Sequence, residues 1–446
     1  MKEKLISLFL ILIILLELIL SICSITYFNY IKSILWSIVT ILLVLTGIYF
    51  SIKLKFIQFN FKKIFTSLFT KNKGNISTFE SLSINLAAKI GVGSLSGIAL
   101  SIFIGGAGTI FWMWVITIIT AVIVYIEGYL GIKYQTKKNN ELIGGPSFYI
   151  KKISNGKTLA YLYSLLIIIS YILGFITIQS NTIIKSLNYI FNIDKYIVLT
   201  ILVLITGLII FKGIKNIVVF SSLIVPIMGI IYIILGIYII ITNINIIPSI
   251  LLNILKEAFN LKSITGGIIT TIIIGVQRGL FATEVGLGTS AISASLTNDT
   301  KENQGFVQLF SIYFTSLVIC TITALIILTS KASIANYLDF NGIEYVIESF
   351  IYHLGNIGTI LFVLITILFA FSTIVSGYCF GELALDFIYK KVSKTKIIIF
   401  KIITLILVFI GGILRANILW NLIDILIAIL TIINIYAIYK LRNNIN

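Results

Sequence analysis

The stretch Ala87-Ala88-Lys89-Ile90-Gly91-Val92-Gly93-Ser94-Leu95-Ser96-Gly97 interrupts a long apolar run with glycine and a cation. Later in the chain, Gly275-Val276-Gln277-Arg278-Gly279-Leu280-Phe281-Ala282-Thr283-Glu284-Val285-Gly286-Leu287-Gly288 does the same. Glycine costs about 1 kcal/mol relative to alanine inside a helix and admits dihedrals that other residues avoid. A cation inside an apolar span is rare and usually functional. Two such segments in corresponding places of two halves of a chain point to the binding site of a secondary transporter.

The surrounding composition makes these runs membrane spans. Of 446 residues, 59% are hydrophobic and only 11% charged, with a mean hydropathy of +1.10. A soluble domain of this length carries far more polar surface. Runs of about 18 or more apolar residues can each cross a hydrocarbon core of roughly 30 Å. They cover about 4–26, 32–54, 81–104, 108–132, 158–190, 196–211, 216–241, 263–288, 305–330, 357–385, 397–414 and 417–439. Backbone groups in lipid must pair within their own segment, so helix is the expected form. The first run follows a basic start and has the outline of a signal peptide. It is longer than a usual signal core and shows no small-residue cleavage pattern, so a retained helix is expected.

Charge sets the orientation. With twelve spans and the N-terminus inside, 24 of the 33 Lys and Arg residues fall in cytoplasmic segments and 7 outside, Lys89 and Arg278 lying within spans. That excess predicts both termini in the cytoplasm of a bacterial inner-membrane protein. It also accounts for the net charge of +17 without any nucleic-acid partner. Three scattered cysteines and the single His353, read as lying in a short polar loop, offer no metal cluster or disulfide framework. No phosphate-binding loop is present, which argues against a self-contained ATP-driven pump.

Counted from the span holding Lys89, the span holding Arg278 is the sixth of ten. Ten spans divide five plus five, and an odd number per half makes the halves run in opposite directions, the inverted-repeat arrangement of many transporters. The expected organisation is two N-terminal spans and a basic connection over 1–79, a first repeat over 80–260 and a second over 261–446. Unwinding at Gly91 and Gly93 would free amides able to hold a carboxylate and carbonyls able to hold a cation. Gly93 and Gly97 also fit close helix packing through small residues.

The residues at this point resemble the alanine or glycine:cation symporter family (sodium:alanine symporters of the amino acid-polyamine-organocation superfamily). The resemblance rests on Leu86–Gly97, Gly105-Gly106-Ala107-Gly108-Thr109-Ile110-Phe111-Trp112-Met113-Trp114, Gly144-Gly145-Pro146, Gln179-Ser180-Asn181-Thr182 and Gln277-Arg278-Gly279-Leu280-Phe281. Cys320–Ala324, Phe369-Ala370-Phe371-Ser372-Thr373-Ile374 and Leu419-Trp420-Asn421-Leu422-Ile423-Asp424 continue it in order over about 40–440. It implies an all-α polytopic membrane protein with a LeuT-like 5+5 inverted repeat, discontinuous first and sixth core helices, a small neutral amino-acid substrate and sodium as the co-transported ion. No resident cofactor or obligatory protein partner is expected beyond the lipid bilayer.

The same resemblance implies roles. The carbonyls of Ala87, Ile90 and Phe369 with the hydroxyls of Ser372 and Thr373 would form the sodium site, an all-oxygen set suited to a hard cation. Gly91, Gly93 and Ser94 would face the substrate carboxylate, and Gln179 and Asn181 its other polar groups. Gln277, Gly279, Phe281 and Phe371 would line and shape the pocket. Lys89 and Arg278 need acidic partners within spans, and the candidates are Glu127, Glu284 and Asp424, as structural pairs or as a gate. Three departures from the family pattern stand out: Ser94 in place of Asn, Thr315 near a usual Asp, and no proline near Ile433. Lys89 opens an alternative in which it replaces or competes with sodium, giving proton-coupled or sodium-independent transport. Loss of transport, leaving a sensor or assembly subunit, is a further alternative. A channel would need a repeated selectivity ring and an enzyme a nucleophile and base at motif spacing; neither is visible.

Overall fold

The computed structural model describes residues 25–70, 72, 76–138, 141–191, 193–260, 267–330, 342–389 and 392–445. Helices occupy every apolar run within them; the run at 4–26 lies outside the described residues. In order they are α1 (Ile25–Lys53), α2 (Phe61–Ser67), α3 (Thr78–Lys89), α4 (Ser96–Gly105), α5 (Gly108–Lys133), α6 (Pro146–Ile150), α7 (Gly156–Ile168) and α8 (Ile176–Phe191). Then come α9 (Lys195–Ile210), α10 (Ile214–Thr242), α11 (Ile247–Ala258), α12 (Ile268–Thr283), α13 (Thr289–Ala294), α14 (Lys301–Tyr313), α15 (Thr321–Thr329), α16 (Ile343–Ile388), α17 (Lys394–Gly411) and α18 (Ala416–Lys440). Seven helical stretches are long and apolar enough to cross a membrane, and eight if the bent pair α3 and α4 counts as one span. Two short strands, β1 (Thr136–Lys138) and β2 (Glu141–Ile143), pair antiparallel in the lysine-rich connection after α5.

Local sequence explains where several helices start. Ser77 caps α3 reciprocally with Glu80: the Glu80 amide donates to Ser77 Oγ at 3.2 Å and the Ser77 amide to Glu80 Oε2 at 2.7 Å. Asp194, Thr300 and Ser393 accept amide hydrogen bonds at the starts of α9, α14 and α17. Two long helices carry a π-helical turn in mid-course, Ile169–Phe175 between α7 and α8 and Phe314–Cys320 between α14 and α15. Such turns concentrate at functional sites because they rotate the side chains that follow.

Polarity is reversed relative to a soluble protein. Apolar side chains point outward on the peripheral helices, for example Leu204 and Leu208 on α9, Ile230 and Ile234 on α10, and Ile402 and Ile406 on α17. The interior holds Lys89, Glu127, Arg278, Glu284 and Asp424, with many Ser, Thr, Asn and Gln. Hydrocarbon favours this arrangement, since polar groups find partners only inside the bundle.

One expectation is corrected. His353 does not sit in a polar loop; it lies within α16, two residues before Gly355, whose φ of 59° interrupts the helix. The segment before that interruption is helical because Ile343, Val346, Ile347 and Phe350 bury against Leu95, Tyr232 and Phe362. The imidazole Nε2 lies 2.9 Å from Thr329 Oγ1.

Close approach of α5 to α13 depends on Gly131, where an added Cβ would stand 2.4 Å from the Ala291 carbonyl oxygen. Gly131→Ala is expected to cost about 1–3 kcal/mol through overpacking, read as a lower melting temperature of the detergent-solubilised protein. Gly207→Ala, where the nearest atom is 3.5 Å away, should be neutral or stabilise by up to about 1 kcal/mol.

Candidate functional site

The first break lies between α3 and α4, whose axes meet at 60°. Ile90 and Gly91 leave the helix, Val92–Ser94 form one 3-10 turn, and α4 resumes at Ser96. Neighbouring spans meet the freed backbone groups. The Val92 amide donates to Gln179 Oε1 at 3.0 Å. The Ser94 hydroxyl donates to the Gly91 carbonyl at 2.8 Å, and Thr323 Oγ1 donates to the Ser94 carbonyl at 2.8 Å.

Glycine is required here by crowding. A Cβ at Gly91 would stand 2.3 Å from Thr373 Oγ1 and 3.2 Å from the Gln179 amide. A Cβ at Gly93 would stand 2.6 Å from the Phe281 ring. Both residues are therefore points where α16, α8 and α12 press directly on unwound backbone. Gly97 has no such neighbour; its nearest atom is on Trp420, at 3.8 Å.

The second break begins at Glu284, which ends α12 in the left-handed conformation with φ 53°. Gly286 and Gly288 continue it with φ of 80° and 69°, and α13 then starts at Thr289. Glu284 lies six residues beyond Arg278, about 240° around the helix at roughly 100° per residue, so spacing alone already puts the two on different faces.

Four of the five expected cation ligands converge. Thr373 Oγ1 lies 2.8 Å from the Ala87 carbonyl and 3.0 Å from that of Phe369. Ser372 Oγ lies 2.9 Å from the Phe369 carbonyl and 3.4 Å from that of Ala87. Ile90, the fifth, caps α3 in the adjoining turn and is buried. The Ala87 carbonyl lies in the last turn of α3, where carbonyls lack intrahelical partners, and it faces the two hydroxyls. That donor set fits a small hard cation.

The expected substrate residues separate into two groups. Gly91, Gly93, Ser94, Gln179 and Phe281 gather at the first break. Asn181 turns away from it: its amide nitrogen donates to the carbonyls of Gly411 and Leu414, at 3.1 and 2.7 Å. Gly279 faces α5, where an added Cβ would meet Met113 at 3.0 Å. Gln277 is buried with its Nε2 unbonded, and Phe371 packs edge-on against Phe220 at 5.7 Å.

The two expected cations part company. Arg278 Nη2 pairs with Asp424 Oδ2 at 2.8 Å, and its guanidinium lies over Trp420 at 5.0 Å. Trp420 contacts Phe281 at 4.7 Å, and Phe281 stacks on Phe175 at 5.1 Å. Asp424 also receives Lys32 of α1 at 3.8 Å. Lys89, by contrast, makes no ion pair with Glu127. Its Nζ donates to Ser311 Oγ at 2.8 Å and Ser290 Oγ at 3.1 Å, while Glu127 Oε1 accepts from the Gly288 amide and Asn434 Nδ2. A lysine reaching along α3 meets α13 and α14 before it reaches α5.

Sequence reasoning left out Thr323, Trp420, Phe175, Ser290, Ser311 and Lys32. Thr323 and Trp420 lie inside stretches that carry the resemblance; the others have no local signal, because only packing brings them to the breaks.

The sequence model of the sodium:alanine symporter family matches residues 22–446. The chain is 34% identical over 416 residues to the amino-acid carrier protein AlsT of Bacillus subtilis, covering 92% of this chain and 88% of that protein. It is 33% identical over 419 residues to a probable sodium/glutamine symporter, GlnT, of the same organism, covering 92% and 87%. It is 29% identical over 429 residues to the sodium/alanine symporter AgcS of Methanococcus maripaludis, covering 93% and 94%. Among solved structures, a sodium-coupled sialic acid symporter superposes with a TM-score of 0.54 at 12% identity, covering 89% of this chain and 82% of that one. A manganese transporter of Eremococcus coleocola superposes with a TM-score of 0.55 at 11% identity, covering 80% and 76%. These two likenesses concern the fold.

Removing one partner of the buried Arg278–Asp424 pair should be costly. Asp424→Asn is expected to destabilise by about 3–5 kcal/mol, seen as a large fall in melting temperature in detergent. The double replacement Arg278→Met with Asp424→Leu should recover much of that loss, because no buried guanidinium is left unpaired, and Lys32, 23% exposed, keeps its hydrogen bond to Asn421.

Proposed function

The chain belongs to the sodium:alanine symporter family, and from that premise we propose that it carries a small neutral amino acid, alanine or glycine, together with sodium. It is a multi-pass membrane transporter and not an enzyme. Cation-coupled amino-acid symport is its activity; the substrate, the ion and the sites are the proposal. The observation that carries it is the meeting of the Ala87 carbonyl with Ser372 and Thr373 immediately beside the unwound Gly91–Ser94 backbone.

The geometry of the first break supports the following roles. Sodium sits between α3 and α16, held by the carbonyls of Ala87, Ile90 and Phe369 and the hydroxyls of Ser372 and Thr373. The substrate carboxylate lies against the amides freed at Gly91–Ser94, at the start of the half-helix α4, whose dipole favours an anion. Gln179 orients it, and Phe281 bounds the side-chain space. A large substrate side chain would collide with the Phe281–Phe175–Trp420 stack, so small substrates are favoured.

Twelve spans, with two preceding an inverted five-plus-five core, place both termini in the cytoplasm of the bacterial inner membrane. Alternating access then moves the α3 and α12 repeat elements against the remaining spans. One sodium crossing about 100 mV contributes roughly 2.3 kcal/mol, enough for a concentration ratio near 50, since about 1.4 kcal/mol is tenfold.

Uptake of labelled alanine, glycine and glutamine into liposomes, with sodium and pH gradients imposed separately, tests the reading. Alanine or glycine uptake driven by sodium alone is expected; uptake driven only by a pH gradient would overturn it. Thr373→Ala should raise the sodium concentration for half-maximal uptake about tenfold or more, the effect of losing one hydroxyl ligand worth roughly 1.4 kcal/mol, whereas Thr373→Ser should stay near wild type. If Lys89 holds α3 through Ser290 and Ser311, Lys89→Thr should slow transport and leave its ion dependence unchanged. A lost sodium dependence would instead support the proton-coupled alternative.

A further inference from the structure

Glu284 is buried charge that the site described above does not use. It is 1% exposed and sits at the end of α12 in the left-handed conformation. Neither of its carboxylate oxygens accepts a hydrogen bond among the described residues. The hydroxyls of Tyr171, in the π-helical turn before α8, and of Thr289, at the start of α13, face it. Neither hydroxyl closes a hydrogen bond with any described group. Four oxygens from three separate elements thus gather in the membrane interior without a closed hydrogen bond among them.

The nearby charges do not neutralise it. Lys89 lies within electrostatic reach of both Glu284 and Glu127 and donates to the hydroxyls of Ser290 and Ser311, so one cation is shared by two carboxylates. Glu127 is fully buried; one oxygen accepts from Gly288 and Asn434, and the other is unpartnered. Arg278 is committed to Asp424. Lys89, Glu127 and Glu284 together carry one excess negative charge in their ionised forms. An uncompensated charge at this depth is expensive, and a monovalent cation held by oxygen atoms removes the deficit.

We propose that Glu284, Tyr171 and Thr289 form a second sodium site, separate from the one at Ala87 and Thr373. The supporting geometry is also directional. Gly377 lies one helical turn beyond Thr373 on α16, and a Cβ placed there would be 3.4 Å from the Tyr171 ring. The new site therefore lies displaced along α16 from the first, on the flank of the breaks occupied by Lys89 and α13. The proposal rests on the sodium-coupled reading.

The test uses the full chain in proteoliposomes, with radioactive sodium and labelled alanine counted together. Glu284→Gln keeps the shape of the side chain and removes its charge. It should lower the number of sodium ions moved per alanine by one and flatten the sodium dependence of uptake. Tyr171→Phe and Thr289→Val each delete one hydroxyl and should raise the sodium concentration for half-maximal uptake several-fold. They keep the proposal testable if Glu284→Gln fails to fold. An unchanged sodium-to-alanine ratio in Glu284→Gln, or unchanged sodium dependence in both hydroxyl variants, overturns the second site. So does a Glu284→Gln protein that keeps the sodium ratio and loses only uptake driven by a pH gradient, because the occupant is then a proton. Alanine uptake by the wild type that ignores sodium altogether rejects the underlying reading instead, so the two failures are distinguishable.

Discussion

A helix cannot be broken in hydrocarbon unless other parts of the protein take over the hydrogen bonds it gives up. At the first break that duty is shared by three spans. Gln179 accepts from the Val92 amide, Thr323 donates to the Ser94 carbonyl, and Thr373 donates to the Ala87 carbonyl. The rest of the interior is arranged around these contacts. Tyr232 supports Thr323 through a hydroxyl contact at 2.6 Å, and the absence of a side chain at Gly91 and Gly93 lets Thr373 and Phe281 approach the backbone. A break so held is rigid enough to position ligand atoms. It also connects the spans that would have to move relative to one another.

The charged groups of the interior form two clusters. In one, Arg278 and Lys32 share the single carboxylate of Asp424, with Trp420 beneath the guanidinium. In the other, Lys89, Glu127 and Glu284 share space with hydroxyls and leave several oxygens unpartnered. A buried pair contributes little net stability yet is costly to open one-sidedly, which suits a latch. An undersatisfied cluster is costly as it stands and favours an added cation. The two clusters therefore ask for different things: the first resists separation, the second attracts charge. Lys32 brings α1 to the same carboxylate.

Much of the architecture could be read from the chain itself. The run Leu86–Gly97 announced both its helix and its interruption, since glycine and lysine have no other reason to share an apolar run. The capping box at Ser77 and Glu80 marks where α3 begins, and the positive φ values at Gly286 and Gly288 fall where the second stretch carries its glycines. Ala87, Ser372 and Thr373 were legible only through resemblance, because no spacing rule links residues nearly three hundred positions apart. The strand pair at β1 and β2 escaped notice, since two three-residue strands in a lysine-rich connection leave almost no periodic signal. His353 was misplaced because the helical segment before Gly355 is short and polar in places, and its helicity depends on burying Phe350 against α10.

Sequence alone determined that this is a polytopic helical membrane protein with glycine-interrupted apolar runs, because hydrocarbon forces that reading of them. Tertiary structure decided which side chains meet. It paired Arg278 with Asp424 of α18 rather than with any acid on its own helix. It sent Asn181 to the end of α17 and kept Gln179 at the break, because residues two apart on a helix lie on different faces. It bonded Lys89 to two serines and left Glu284 without a partner. These outcomes depend on how helices distant in sequence pack, and no local pattern encodes that packing.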